Sequence, residues 1–198
     1  MWPVESSRVV YQNRWIRVDE EQVTTPSGQP GSYGVVTVRH TSVFVVALTE
    51  TDEVVLVQVD RHTVGRSWEV PAGGTDGEDP LVAAQRELRE EAGLAAASWR
   101  EIGRMTALNG ICRAPEIVYL ATQLTPAEGA EPDLEGIGEI RRVPWPRVRE
   151  LVQDGTITDG ESIAALMYAA LALGRVGGGP GRRAGVGRLG LEPRTDGL

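Results

Sequence analysis

Short blocks of apolar residues, several of them alternating with polar ones, run through most of the first 145 residues. The alternation at 8–24 predicts one or two strands with a turn at Gln12–Asn13, and Pro and Gly at 26–31 predict another turn. The block at 42–50 is nearly all apolar, as expected for a strand that is covered on both faces. The remaining predicted strands lie at 33–40, 54–61, 67–70, 98–108, 116–124 and 139–145.

The apolar spacing changes to a helical period in three segments. The first helix begins at Asp79–Pro80, because Asp accepts free backbone N–H groups and Pro suits the first helical position. It ends at Gly93, which adopts a positive φ without strain. Two more helices are predicted at 146–155 and 157–174. This order predicts an α/β fold: an α/β/α sandwich around a mixed sheet, with N-terminal antiparallel strands added to it.

The pattern also divides the chain into three parts. Residues 1–40 hold the N-terminal strands, 41–173 the sandwich, and 174–198 a Gly- and Arg-rich tail without periodicity. We predict that the tail is disordered, and that it is a solvated segment without function rather than a binding segment for an anionic partner. The polar segment 125–138 is predicted to be an exposed loop.

Composition excludes several classes of function. The net charge of −8 at pH 7 argues against a nucleic-acid partner, whose binding surface would be basic. No apolar run approaches the roughly 20 residues that a membrane helix needs, so no membrane partner is expected. Cys112 is the only cysteine, which excludes an internal disulfide, and the start of the chain lacks the pattern of a secretory signal. We therefore expect a cytoplasmic protein.

Elimination narrows the candidate chemistry further. All 20 basic residues are arginines, so neither a phosphate-binding P-loop lysine nor Schiff-base chemistry is available. The two histidines, His40 and His62, lie outside any zinc-binding pattern, and the chain has no GxSxG nucleophile motif. Metal held by carboxylates is the chemistry that remains best supported.

Acidic residues concentrate at the end of the first predicted helix. Glu87, Glu90 and Glu91 are spaced so that all three can converge on one patch, and Glu78 stands one loop earlier. Like charges so placed repel unless a cation neutralises them, and hard oxygen ligands suit magnesium or manganese. On charge alone, a solvated acidic face paired with nearby arginines is the more common interpretation.

The sequence around these acids resembles the Nudix box, G-x5-E-x7-R-E-U-x-E-E-x-G-U, in which U is aliphatic. Glu78 is followed by seven residues and then by residues 86–94, RELREEAGL, which match the box position for position. The loop before Glu78 departs from it. Ala72 stands six residues earlier, where the box has glycine, and Gly73 lies only five residues before Glu78. The loop is therefore one residue short.

The resemblance covers about residues 8–173, and the order of elements there is similar to that of the ADP-ribose pyrophosphatase branch of the Nudix family. The shared features are an N-terminal strand pair, a Pro/Gly turn, a hairpin that ends at Arg61, and residues 68–73, WEVPAG. In that branch the N-terminal strands form a dimer whose active sites use residues of both subunits. The resemblance thus implies a homodimer through residues 1–40; the alternative is that these residues only extend the sheet of a monomer.

Motif matching implies a metal site on the predicted helix. Glu87 and Glu91 are the expected principal ligands, with Glu90 in the same cluster, and the implied cofactor is Mg²⁺, with Mn²⁺ as the alternative. The carbonyl oxygen of Ala72 is an expected further ligand, and Glu78 would support the helix or a further metal. Arg86 is expected to orient the carboxylates through bidentate pairing rather than to contact substrate.

The resemblance also implies residues that bind substrate and move protons. Arg61 matches the phosphate-contacting arginine of the branch, with a surface arginine at a strand end as the alternative. Trp15 or Trp2 could stack on a nucleobase, although a core or interface position is more common for tryptophan. The branch has an acid at the position of Ala114, and Glu116 lies two residues on, where an extended chain points to the same side. We expect Glu116 to accept the proton of the attacking water, with Glu87 or Glu91 as the alternative.

These expectations combine into a main hypothesis and two alternatives. The main hypothesis is a metal-dependent hydrolase of ADP-ribose or a related nucleotide sugar, in which bound metal neutralises the pyrophosphate and activates water. The first alternative is a nucleoside triphosphate pyrophosphohydrolase, since loops decide substrate choice. The second is a catalytically silent domain that binds a nucleotide sugar, suggested by the short loop and by Ala114.

Overall fold

The computed structural model describes residues 1–129 and 136–176 and contains eleven strands and three helices there. The strands are β1 (Val4–Gln12), β2 (Ile16–Thr24), β3 (Pro30–Val38), β4 (Ser42–Ala47), β5 (Glu53–Arg61), β6 (Gly65–Glu69), β7 (Ala72–Gly74), β8 (Leu94–Thr106), β9 (Cys112–Arg113), β10 (Pro115–Pro126) and β11 (Ile137–Pro144). The helices are α1 (Pro80–Ala92), α2 (Trp145–Gln153) and α3 (Gly160–Ala172). The predicted tail lies outside the described residues from position 177 onward, as does 130–135 of the predicted loop.

The N-terminal strands form a sheet of their own, in the order β1-β2-β3-β9. β1, β2 and β3 are antiparallel neighbours, whereas β9 lies parallel to β3. β1 begins at Val4 rather than at residue 8, and all nine of its residues are exposed. The expected N-terminal antiparallel strands are therefore present, and β1, which pairs with β2, forms an exposed edge of their sheet.

Two further sheets form the centre of the sandwich, with the orders β7-β4-β10-β8 and β11-β5-β6. A bridge between Leu48 and Val54 links them. β4 and β10 are parallel and the other pairs are antiparallel, so the central layer is mixed, as predicted. Two short strands, β7 and β9, were not among the predicted strands, because local polarity does not reveal pairing with a distant strand.

Alternate residues of β4 pack into two different cores. Val43 and Val45 belong to a cluster that includes Ala84 and Leu88 of α1. Phe44 and Val46 belong to a second cluster that includes residues of α2 and α3. The sheet is thus covered by helices on both faces, which confirms the predicted α/β/α sandwich and explains the continuous apolar block at 42–50.

Side-chain caps fix the starts of two helices. Asp79 accepts hydrogen bonds from the backbone N–H groups of Leu81 and Val82, and Gly93 ends α1 with a φ of 64°, both as predicted. α3 begins at Gly160 rather than at 157, because Asp159 caps it by accepting from the Ser162 N–H. None of the helices in the described part of the chain is long and apolar enough to span a membrane.

Candidate active site

A cavity of about 490 Å³ lies where β7, the β5–β6 hairpin, β10 and the start of α3 meet. Its lining includes Arg61, Glu69, the residues of β7, Glu116 and the segment 158–161. These positions come from segments that are far apart in sequence. The fold thus brings a predicted phosphate contact, the predicted base and the Ala72 backbone to one place.

The buried glutamates of α1 lie against β7. The Ala72 N–H donates to Oε2 of Glu91 at 2.9 Å, and Glu87 packs over Gly73 so closely that an added Cβ would lie 2.1 Å from its Oε1. Glu87 and Glu91 are 6% and 5% exposed, respectively. We call β7, together with Glu78, Glu87, Glu90 and Glu91 beside it, the helix wall; of this set, β7 lines the cavity.

Arg86 holds the acids of the helix wall together. Its guanidinium donates to Glu87 at 2.7 Å, to Glu90 at 3.1 Å and to Glu78 at 3.2 Å. It also donates to the Gly74 carbonyl oxygen at 2.9 Å. Burial lowers the pKa of Arg86, but attraction to Glu87 and the hydrogen bonds to the three carboxylates outweigh it, so its pKa is raised. Arg86 thus contacts each carboxylate through a single hydrogen bond rather than through the expected bidentate pairing, and its role in orienting them stays a prediction.

A tight turn accommodates the short loop. The Glu78 N–H donates to the Thr75 carbonyl oxygen at 2.8 Å, and the two central residues, Asp76 and Gly77, have φ values of 49° and 90°. Glu78 therefore still reaches Arg86. Gly73, which lies one residue closer to Glu78 than the glycine of the box, is the position where a side chain would collide with Glu87.

Arg61 lies at the end of β5 and faces the cavity. It makes a two-bond ion pair with Glu69, at 3.1 Å and 2.6 Å. The hydrogen bond to Glu69 is the largest cause that raises the pKa of Arg61. Glu69 thus orients the guanidinium within the cavity lining, and the phosphate contact of Arg61 stays a prediction.

Glu116 lies with Asp159 and Glu161 in the lining, and we call these three residues the acidic wall. Glu116 is 5% exposed. Burial, followed by the negative charges of Glu161 and Asp159, raises its pKa to about 7. Burial and hydrogen bonding with Asp159 also raise the pKa of Glu161. A carboxyl group with a pKa near neutrality is suited to proton transfer.

The sequence analysis did not anticipate Asp159 and Glu161. They were treated as the start of the last helix, and Ser162 beside them anchors that helix by accepting a hydrogen bond from the Val70 N–H at 3.0 Å. Val70 belongs to the WEVPAG segment. The available signal was the pair of acids in the TDGES segment, which is a common pattern at helix starts and therefore not specific.

The two tryptophans that could stack on a nucleobase, Trp2 and Trp15, lie at the N-terminal sheet. Trp15 stands in the turn between β1 and β2, half exposed, with the Arg14 guanidinium 4.3 Å from its ring centre. Trp2 packs edge-on against Tyr33, with ring centres 5.4 Å apart. Neither belongs to the lining of the cavity within this chain, so stacking of Trp15 on a base stays a prediction.

The donors at the helix wall fit a hard divalent cation. Glu87 and Glu91 bring carboxylate oxygens to the β7 backbone, and the absence of a side chain at Gly73 lets the Glu87 carboxylate lie against it. Oxygen donors of this kind suit Mg²⁺ or Mn²⁺. Within residues 1–129 and 136–176, no group of three or more His, Cys, Asp or Glu side chains is arranged to hold an ion. Ligation by Glu78, Glu87, Glu90, Glu91 and Ala72 therefore stays a prediction.

Comparison with known proteins bears on family and fold. Residues 38–167 match the model of the NUDIX domain, and residues 2–36 match that of the nucleoside diphosphate sugar hydrolase N-terminal domain. The chain resembles the solved structure described as "Crystal structure of ADP compounds hydrolase", with a TM-score of 0.77 and 20% identity over 88% of this chain and 97% of that one. The predicted Nudix-type fold is thus confirmed.

Curated relatives include an ADP-ribose pyrophosphatase of Mycobacterium tuberculosis, 37% identical over 126 residues. That match spans 60% of this chain but only 58% of the relative. A second relative, CMP-5'-(N-acetyl-N-hydroxy-3-aminopropyl)phosphonate hydrolase of Streptomyces rubellomurinus, is 30% identical over 183 residues. This match covers 91% of this chain and 87% of the relative, so the similarity extends through nearly the whole chain.

Proposed function

The chain belongs to the Nudix family, and we propose that it hydrolyses the pyrophosphate bridge of a nucleoside diphosphate derivative, ADP-ribose or a related nucleotide sugar. The products are a nucleoside monophosphate, AMP from ADP-ribose, and a sugar phosphate. One observation carries the proposal: a single cavity is lined by β7, against which Glu87 and Glu91 pack, by Arg61, and by the buried Glu116. The relative named ADP-ribose pyrophosphatase supports the choice of substrate.

Divalent metal ions are general cofactors of Nudix hydrolases, and we propose Mg²⁺ for this chain. Glu87 and Glu91 would hold it, with Glu90, the Ala72 carbonyl oxygen and Glu78 as further candidates. When bound, the metal would neutralise the pyrophosphate and lower the pKa of water. Arg86 keeps the carboxylates oriented through its contacts with Glu78, Glu87 and Glu90.

The remaining residues bind phosphate and move the proton. Arg61, oriented by Glu69, donates hydrogen bonds to a phosphate oxygen of the substrate. Glu116 accepts the proton of the water whose oxygen attacks phosphorus, and the bond to the bridging oxygen breaks. Glu116 thus takes the place of the acid that Ala114 lacks. Trp15 would contact the nucleobase only from a partner subunit, since it lies outside the cavity lining of its own chain.

An assay of purified protein with Mg²⁺ tests this proposal. The panel contains ADP-ribose, other nucleotide sugars, CMP-linked compounds, dinucleotides and nucleoside triphosphates, because one relative acts on a CMP derivative. We expect AMP to be released from ADP-ribose and the rate to fall about 1,000-fold in Glu87→Gln. Glu139→Gln, which removes an exposed acid paired with Arg141, is the control and should keep full activity.

Two outcomes would redirect the proposal. Release of pyrophosphate from nucleoside triphosphates, with nucleotide sugars untouched, would favour the pyrophosphohydrolase. Binding of a nucleotide sugar without turnover of any compound would favour the silent domain.

We propose that the chain forms a homodimer through its N-terminal strands. The edge strand β1 carries Val4, Val9, Val10 and Tyr11, which are 42–54% exposed in the single chain, and an exposed sheet edge with apolar side chains readily associates with another chain. Light scattering should give twice the monomer mass of 21.3 kDa. Val10→Arg should shift the protein to monomer, whereas Val82→Arg, on an exposed position of α1, should not. A monomeric wild type would contradict the proposal.

We also propose that the protein acts in the cytoplasm, where its nucleotide substrates are made and a reducing environment preserves the free thiol of Cys112. Fractionation of cells with an antibody to the native protein tests this location. Recovery with the exported or membrane fraction would contradict it.

A further inference from the structure

The segment 107–114, which joins β8 to β10, is fastened to the N-terminal sheet. Its last part forms β9, which lies parallel to β3 and pairs Val36 with Cys112. The Val36 N–H donates to the Ile111 carbonyl oxygen at 2.9 Å, and the Tyr33 hydroxyl donates to the Gly110 carbonyl oxygen. The segment that leads into β10 is therefore held by a sheet outside the sandwich.

A buried charge anchors the same segment. Glu21 of β2 has a side chain that is only 10% exposed, and both of its carboxylate oxygens accept hydrogen bonds from Nη2 of Arg113, at 3.0 Å and 3.3 Å. A buried carboxylate is costly unless it is paired, so the pair resists separation. Arg113 stands three positions before Glu116 along an extended chain.

The segment also contains an unfavourable backbone conformation. Leu108 has a φ of 43°, which is uncommon for a residue other than glycine, and its carbonyl oxygen accepts from the N–H groups of Ile111 and Cys112. Such a conformation persists only where surrounding contacts impose it. The hydrogen bonds within the segment and its contacts to β2 and β3 together surround this conformation.

We propose that the ion pair between Arg113 and Glu21 positions Glu116 for proton transfer by fixing the segment that enters β10. This inference rests on the proposed hydrolase function, in which Glu116 takes the proton of the attacking water. Arg113 and Glu21 are positioning residues, since neither lines the cavity that holds Glu116. The N-terminal sheet thereby contributes to catalysis within its own chain, apart from any part in association.

A double-mutant cycle with Arg113→Met, Glu21→Gln and the double variant tests the pair. Displacement of a catalytic group by about 1 Å can reduce the rate about 100-fold, so each single variant should reduce kcat by about 10- to 100-fold with KM little changed. The double variant should lose no more than the weaker single variant, because both changes remove the same interaction. Arg113→Lys, which keeps the positive charge, should recover part of kcat.

Arg8→Ala is the matched control. It removes another Arg–Glu pair of the same sheet, the exposed one between Arg8 and Glu20, without touching the segment 107–114. It should leave kcat unchanged. Thermal melting identifies any variant that is unfolded, and kcat is then compared only among variants that melt cooperatively above the assay temperature.

Hydrogen exchange separates this inference from the proposed function. In Arg113→Met the backbone amides of 110–114 should exchange faster than in wild type, and in Arg8→Ala they should not. If the wild type hydrolyses none of the compounds, the proposed function fails while exchange still reports whether the pair fixes the segment. If the wild type is active and Arg113→Met keeps its kcat, or the two single losses add in the double variant, the inference is wrong.

Discussion

Negative charge has different surroundings on the helix wall and on the acidic wall. On the helix wall, Glu78, Glu87 and Glu90 all accept hydrogen bonds from Arg86. On the acidic wall, the charges that act on Glu116 are those of Glu161 and Asp159, which have the same sign as its own, and its pKa rises to about 7. Glu116 is therefore easier to protonate than a free carboxyl group, whereas acids of the helix wall are paired with a positive charge.

The difference follows from the roles that we propose for the two walls. A metal ligand has to be fixed in direction, and an arginine that bonds several carboxylates holds them in place. A base has to take up a proton near neutral pH, which requires that its charge be poorly stabilised. Acids of the same chemical type thus lie in two environments.

Among the substitutions that test this contrast, Glu116→Gln should have the largest effect on kcat. The amide keeps the shape of the side chain but cannot accept the proton, so kcat should fall by about 100-fold or more while KM changes little. Steady-state kinetics with ADP-ribose and Mg²⁺ measure both constants. Glu101→Gln is the control, because Glu101 is exposed on the neighbouring β8 and pairs with Arg104. Full activity of Glu116→Gln would assign the proton transfer to another acid.

Gly73→Ala should damage the helix wall. The added Cβ would lie 2.1 Å from Oε1 of Glu87, so Glu87 must move away from β7. We expect about a 100-fold loss of kcat from the displaced carboxylate and a decrease of about 1–3 kcal/mol in the free energy of unfolding from overpacking. Gly74→Ala is a matched control in the same strand, since its Cβ would meet only Asp76, at 3.5 Å. Equal effects of the two substitutions would contradict the close packing of Glu87 on Gly73.

Glu161→Gln should have the smallest effect, a change in pH dependence. Glu116 must be ionised to accept a proton, so kcat rises with pH through its pKa. Glu161 raises that pKa by repulsion, and removing its charge should lower it, so the rising limb of the pH–kcat profile should move to lower pH. Profiles of wild type and variant at the same Mg²⁺ concentration test this shift. A limb that moves to higher pH, or does not move, would mean that Glu161 does not act on the base.

The helix wall was largely predictable from the sequence, because its parts are close along the chain. Arg86 and the acids it contacts lie within 13 residues of one another, and the spacing of a helix places them on one side. Asp79 and Gly93 mark the ends of that helix by well-understood capping chemistry. The continuous apolar block of β4 likewise indicated that the strand is buried on both faces, as it is in the sandwich.

The acidic wall could not be predicted in the same way. Glu116 and Glu161 are 45 positions apart, and nothing local indicates that β10 and the start of α3 meet at one cavity. Arg113 and Glu21, which form an ion pair, are separated even further along the chain, by 92 positions. The pKa of a carboxyl group depends on burial and on neighbours from other elements, which composition and spacing do not specify.

By itself, the sequence determined the family, the layered fold, the α1 glutamates with their arginine, and the candidate base Glu116, because each depends on local spacing or on a long ordered motif. Only the tertiary structure showed that Glu87 packs against Gly73 rather than Ala72, and that a tight turn at 75–78 accommodates the short loop. It also showed that Asp159 and Glu161 lie beside the candidate base in the cavity lining. These features depend on distances between segments that are remote along the chain, and such distances are set by packing.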